Sequence, residues 1–122
     1  MANTFRLHTF NGSSTNADTD MVLYTVGSGV TGVIIGLTLA NITGSAITAD
    51  VILVSSTAHD DGAGSNFTNG TVFVAKNVSI PGNASLEIMT GNKIIMQVGD
   101  IIKVQSNTAN SMDSSLSFME IT

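Results

Sequence analysis

Two histidines and two short runs of carboxylates are the residues best equipped for chemistry in this 122-residue sequence. His8 falls in a stretch that reads as a strand, and His59 in a polar loop. Neither has a cysteine or a second histidine at metal-ligand spacing. Nucleophilic catalysis needs a base and an orienting acid around a serine or threonine. Serines are abundant, yet none stands in a Gly-x-Ser-x-Gly elbow. A triad on His59 or Asp61 would have to be assembled by the fold alone. The carboxylate runs are Asp18-Thr19-Asp20 and His59-Asp60-Asp61-Gly62. Oxygen-rich loops of this kind hold calcium when a twelve-residue loop closes on a glutamate, and that loop is missing. They read as solvated turn carboxylates. A glycosidase pair would need a cleft lined with aromatics, and the chain has one Tyr and no Trp. The expectation is a protein that is not an enzyme and has no metal site or cofactor.

The elements that carry these residues follow from period-2 alternation, which is widespread while helical periodicity is nearly absent. From Thr31 to Asn41 the odd positions read Thr, Val, Ile, Leu, Leu, Asn and the even ones Gly, Ile, Gly, Thr, Ala. A long strand with its odd face in a core is expected. Gly32 and Gly36, on the small side, point to the close approach of another backbone or to a bend. Further strand segments lie near Thr4–Phe10, Met21–Val26, Ile47–Ser55, Thr71–Ile80, Ser85–Met89, Lys93–Val98, Ile101–Ser106 and Ser115–Ile121. Gly91-Asn92 and Gly99-Asp100 have the spacing of two-residue hairpins, and Asn69-Gly70 is a turn signal. Pro81 sits with Gly82 between two strands, where it removes no ladder donor. Asn11–Asp20 and Ser55–Asn69 read as exposed loops, and a loop as long as the second is more often functional than accidental. The fold class is all-β: a single β-sandwich of about eight strands, jelly-roll or immunoglobulin-like, with a closed barrel as the alternative. Residues 21–122 form the sandwich, and residues 1–20 are either an interaction arm or its first strand plus a loop.

Composition narrows the function classes. Hydrophobic residues make up 43% of the chain and the mean hydropathy is +0.34, so core material is plentiful. Only 11% of residues are charged, against roughly a quarter in an average soluble domain. Low charge with high apolar content implies a surface meant to be covered by a partner; a Ser/Thr-rich free surface is the plainer alternative. A net charge of −5 with four Lys and Arg residues disfavours nucleic acid and an anionic membrane. No apolar run approaches the roughly 20 residues of a spanning helix, and the first residues lack the pattern of a signal peptide. Without cysteines there is no disulfide framework. Asn-x-Ser/Thr triplets begin at Asn11, Asn41, Asn66, Asn69, Asn77 and Asn83, a consequence of a composition rich in these residues. Met89, Met96 and Met119 fall in strands, where methionine fills a core or an adaptable interface.

The stretches Val33–Leu53 (VIIGLTLANITGSAITADVIL), Val74–Asp113 and Leu116–Thr122 (LSFMEIT), with the opening MANTF, resemble a group of small virion structural proteins of tailed phages, marine and cyanobacterial ones especially. The resemblance covers most of the chain and departs mainly at Ser55–Asn69. It rests on strand and turn residues, and it implies a structural protein located in the virion. Within a virion, a capsid decoration (cement) protein bridging capsid subunits, as a homo-oligomer and in particular a trimer, suits a small rigid domain of low charge. Its partners would be itself and the major capsid protein or other virion proteins. The alternative is a neck, tail or fibre-associated component of the same particle. A receptor- or glycan-binding module would instead place specificity on Ser55–Asn69. Phe5, Leu7 and Phe10 are the candidate assembly contacts, as apolar anchors of an N-terminal arm.

Overall fold

The computed structural model describes residues 2–60, 62–64 and 66–122, so Met1, Asp61 and Ser65 lie outside the described residues. Every regular element among those described is a strand: β1 (Asn3–Phe10), β2 (Met21–Thr25), β3 (Thr31–Asn41), β4 (Ile47–Val54), β5 (Ala58–Asp60), β6 (Asn66–Thr68), β7 (Val72–Ile80), β8 (Ser85–Glu87), β9 (Ile94–Met96), β10 (Ile101–Ser106) and β11 (Met112–Ile121). Their pairings nest about a glycine-rich tip. Asn3 faces Ile121, Tyr24 faces Ile102, Thr38 faces Glu87, Ile47 faces Ile80 and His59 faces Phe67. The chain is therefore one long antiparallel hairpin. Rolled up, it lays β11 against β3 and β10 against β4. One sheet then runs β1-β11-β3, with β8 and β9 both on β3, and the other β2-β10-β4-β7. This nested path, crossing between two packed sheets, is that of a jelly roll. Of the two sandwich paths open to the sequence, it is the one adopted.

The core lies between the sheets, where Ile34, Leu37, Leu39, Val51, Ile102 and Phe118 are fully buried. At roughly 1.5–3 kcal/mol per fully buried large apolar side chain, these contacts are the main term opposing chain entropy. Met89 and Met96 belong to this core.

Several expectations are corrected. The odd positions of Thr31–Asn41 do not all face inward. Gly32 and Ile34 are buried, then Leu37, Leu39 and Asn41, because the register with β11 shifts between Ser117 and Phe118. A bulge adds one residue and reverses the phase of alternation, which leaves Ile35 exposed. At Gly32 the close neighbour is a side chain rather than a backbone: an added Cβ would lie 2.8 Å from Tyr24 Cε2. Gly91 and Gly99 have positive φ as turn residues, but they close no hairpins. Strands β8 and β9 pair separately with β3, and β9 and β10 lie in different sheets. Ser55–Asn69 is not one loop, since β5 and β6 pair as a hairpin at the tip and Ser55 is buried.

The N-terminal segment is a first strand docked on its own domain, with β1 in register with β11 from Asn3 to Phe10. Its connection to β2 is fastened at several points. Gly12 N–H donates to Asp113 Oδ1 (2.9 Å), Asp18 N–H to Ser106 O (2.8 Å) and Asn110 N–H to Thr15 O (2.8 Å). Gly12 also sits where a Cβ would collide with Met112 O, so the loop lies flush against the sandwich.

Candidate assembly surface

Alternation along β1 sends Asn3, Phe5, Leu7 and Thr9 to one face and Thr4, Arg6, His8 and Phe10 to the other. In the second set Thr4 and Phe10 are half-buried, while Arg6 and His8 stay exposed. Phe10 is half-buried against the core. His8 sits edge-on to Phe118, with ring centroids 4.8 Å apart, and donates from Nδ1 to Leu23 O at 2.7 Å. Phe118 stacks in turn on Tyr24 at 4.1 Å. Of the three anchors expected from the sequence, Phe10 is therefore withdrawn into its own domain. Phe5 and Leu7 remain outside, 74% and 64% exposed. The parity of position 10 relative to 5 and 7 is the signal that separates it.

Strand order gives Phe5 and Leu7 their neighbours. Phe5 is opposite Met119, Met119 opposite Val33, and Val33 opposite Ile95. Residues opposite one another in a ladder share a face. An apolar row thus crosses the outer side of the sheet from β1 through β11 and β3 to β9. Both ends are exposed (Ile95 65%), and Met119 and Val33 between them are half-buried. Leu7, Ile35 and Ile121 flank the row. Farther along the strands the same face turns polar, with Thr9 opposite Ser115, Ser115 opposite Thr38 and Thr38 opposite Glu87. Glu87 accepts there from Thr38 Oγ1 at 2.7 Å. A contiguous apolar band bordered by hydroxyls has the anatomy of a contact surface.

A charged cluster locks β1 beside this band. Glu120 accepts from Arg6 Nε through Oε1 and from Tyr24 OH through Oε2, the latter at 2.7 Å. The Tyr24 hydroxyl and the Arg6 guanidinium hold the Glu120 carboxyl below the ordinary carboxylate range. Burial, then the hydrogen bond to Glu120, pushes the Tyr24 phenol up.

The other chemically equipped residues are dispersed. His59 lies in the tip hairpin, at a cleft of about 400 Å³ that Asp100, Thr57, Asn69 and Gln97 also line. Asp100 is turned away to structural donors: Ser55 Oγ at 2.6 Å, Thr57 Oγ1 at 2.7 Å and Gln97 N–H at 2.9 Å. Burial works to raise its pKa, and these hydrogen bonds outweigh it, so the carboxyl is held low. Asp60 accepts from Gly62 N–H within its turn, and Asp20 pairs with Lys103 at 2.7 Å. Asp61 falls outside the described residues. Among the described residues no group of three His, Cys, Asp or Glu side chains is placed to hold a metal ion. The row, in contrast, joins residues up to 114 positions apart, Phe5 and Met119, through strand order that no local pattern reveals.

No family model matches the chain, and no curated protein matches it in sequence. Among solved structures, a chain of the Bacillus endospore appendages, described as a novel family of disulfide-linked pili, is 12% identical over 98% of this chain and 84% of its own, with a TM-score of 0.45. That likeness is too distant to bear on this chain's role.

Proposed function

We propose that this chain is a non-catalytic structural protein of a tailed-phage virion, where it decorates the capsid and bridges neighbouring capsid subunits. The observation that carries the reading is the apolar row Phe5–Met119–Val33–Ile95 on the outer face of a rigid sandwich. An exposed band of this kind is costly for a free monomer and favourable under a partner. The 11% charge content supports the same reading, because a covered surface needs few charges. So does the resemblance of the strand and turn residues to small virion proteins. His8 serves as a packing residue and Asp100 as a structural acceptor, which agrees with an assembly role.

Quantitative mass spectrometry of purified particles tests the proposal directly. A ratio to the major capsid protein near one, or a simple fraction of it, is expected. A ratio equivalent to a dozen or so copies per particle would assign the chain to the neck or tail and overturn decoration. Absence from the particle would overturn the virion reading altogether.

A further inference from the structure

Strand β1 is an open edge without the usual protection. Ala2 N–H donates to Thr122 O at 3.1 Å and Thr122 N–H returns the bond to Ala2 O at 3.0 Å, so these two residues form a hydrogen-bonded pair. Such pairs alternate with non-bonded ones in an antiparallel ladder. Thr4, Arg6 and His8 therefore bond to β11, and Asn3, Phe5, Leu7 and Thr9 direct their N–H and C=O groups away from it. Proteins blunt such edges with short strands, charges, proline, bulges or a cover. β1 is eight residues long, without proline and without a register shift. Its one formal charge, Arg6, is engaged by Glu120 of the same chain.

We propose that a second copy of this chain adds to β1 antiparallel, about a two-fold axis at Arg6, so that two β1-β11-β3 sheets become one continuous sheet. Three features select a second copy. First, the edge is complementary to itself. With the axis at Arg6, Phe5 faces Leu7 of the second copy and Asn3 faces its Thr9. Every outward N–H and C=O of these residues is then used. A slip of two residues leaves one pair unused and sets Asn3 opposite Leu7, or Phe5 opposite Thr9. Second, copies of net charge −5 repel one another except where carboxylates are few; Asn3–Phe10 contains none, and the Arg6 that meets its counterpart on the axis is neutralised by Glu120 of its own chain. Third, Phe5 and Leu7 of both copies fall on one face in this register, so the apolar row continues across the seam. The contact deepens the assembly reading without depending on which particle the chain occupies, and it differs from the three-fold arrangement expected from the sequence.

The chain has no cysteine, so Arg6→Cys introduces a single thiol on the axis. Opposed residues there form a non-bonded pair with Cα atoms about 4.5 Å apart, within disulfide range. With oxidised glutathione as oxidant, the variant is expected to form a covalent dimer at least about tenfold faster than Ser13→Cys, a cysteine in the exposed loop. Leu7→Pro in the Arg6→Cys background removes an outward donor without touching a bond to β11 and is expected to abolish the gain. Leu7→Ala is expected to keep most of it. Equal loss in both would mean docking through side chains alone and would overturn edge pairing. Unsubstituted protein is expected to sediment as a dimer at micromolar concentration. A monomer, or a trimer whose Arg6→Cys form links no faster than Ser13→Cys, would sink the proposal. The copy number in particles is read separately, so either idea can fail without the other.

Discussion

β1 and β7, one edge of each sheet, are opposite in character. β7 closes the second sheet, and its pairing with β4 shifts register between Ala49 and Val51 and again between Val51 and Ile52. Asn77 adopts φ +52° there, and its N–H leaves the ladder for Asp50 Oδ1 at 2.7 Å. Lys76 lies over the Phe73 ring at 4.3 Å. A bulged, lysine-bearing strand offers no straight template to another chain. β1 closes the first sheet in unbroken register, with its charge neutralised. Both edges carry exposed aromatics, Phe5 at 74% and Phe73 at 50%. Exposed apolar area alone therefore does not mark the interface; regularity of the backbone behind it does.

The largest test of this contrast removes what supports β1 from beneath. Phe118→Ala deletes a fully buried ring under His8 and beside Tyr24 and is expected to cost about 3–5 kcal/mol in urea unfolding. Hydrogen exchange should rise more in β1 than in β7, and the reverse would deny Phe118 its role as tether. Asn77→Val attacks the other edge. A β-branched residue at positive φ costs about 1–2 kcal/mol, so the variant should either lose that stability or straighten β7. Straightening would appear as new β4–β7 amide protection and as association through a second edge.

Acid tests the lock on β1. Because the folded Glu120 carboxyl is held below its ordinary value, its contribution is complete above the ordinary glutamate pKa. That contribution is lost as pH falls through the depressed folded value. β1 amide exchange should therefore accelerate selectively below about pH 4, and Glu120→Gln should remove that acid dependence. The loss itself should stay under about 1 kcal/mol, because the Arg6 side of the pair is half exposed and screened by solvent. The smallest effect belongs to Lys76→Ala, about 0.5 kcal/mol for an exposed cation over a ring. Sedimentation should show slightly more association, and no change would mean that the bulges alone protect β7.

Much of this contrast is legible in the residues. Alternation marks β1, β2, β4, β7, β10 and β11 near their true positions, and parity along Thr4–Phe10 already separates Phe10 from Phe5 and Leu7. The bulge in β3 is not legible, because Ile34 and Ile35 are equally apolar and only the partner strand decides which is extra. The β5–β6 hairpin hides in polar residues whose pairing is set by the approach of β4 and β7 to one another. Asp100 reads as a turn residue, and its burial against Ser55 and Thr57 needs β10 to pair with β4, which lies 45 residues away in the sequence at that point.

By itself, the sequence determined an all-β sandwich of low charge, with apolar side chains at Phe5 and Leu7 and no cysteine chemistry. These are local properties, set by side-chain period, turn residues and composition. The jelly-roll order, the reversal of face in β3 and the row from Phe5 to Ile95 were decided by tertiary structure alone. Every strand offers the same backbone donors and acceptors along its sides, so a strand's identity does not choose its neighbour. The choice is made only when the whole hairpin rolls up and buries its apolar faces together.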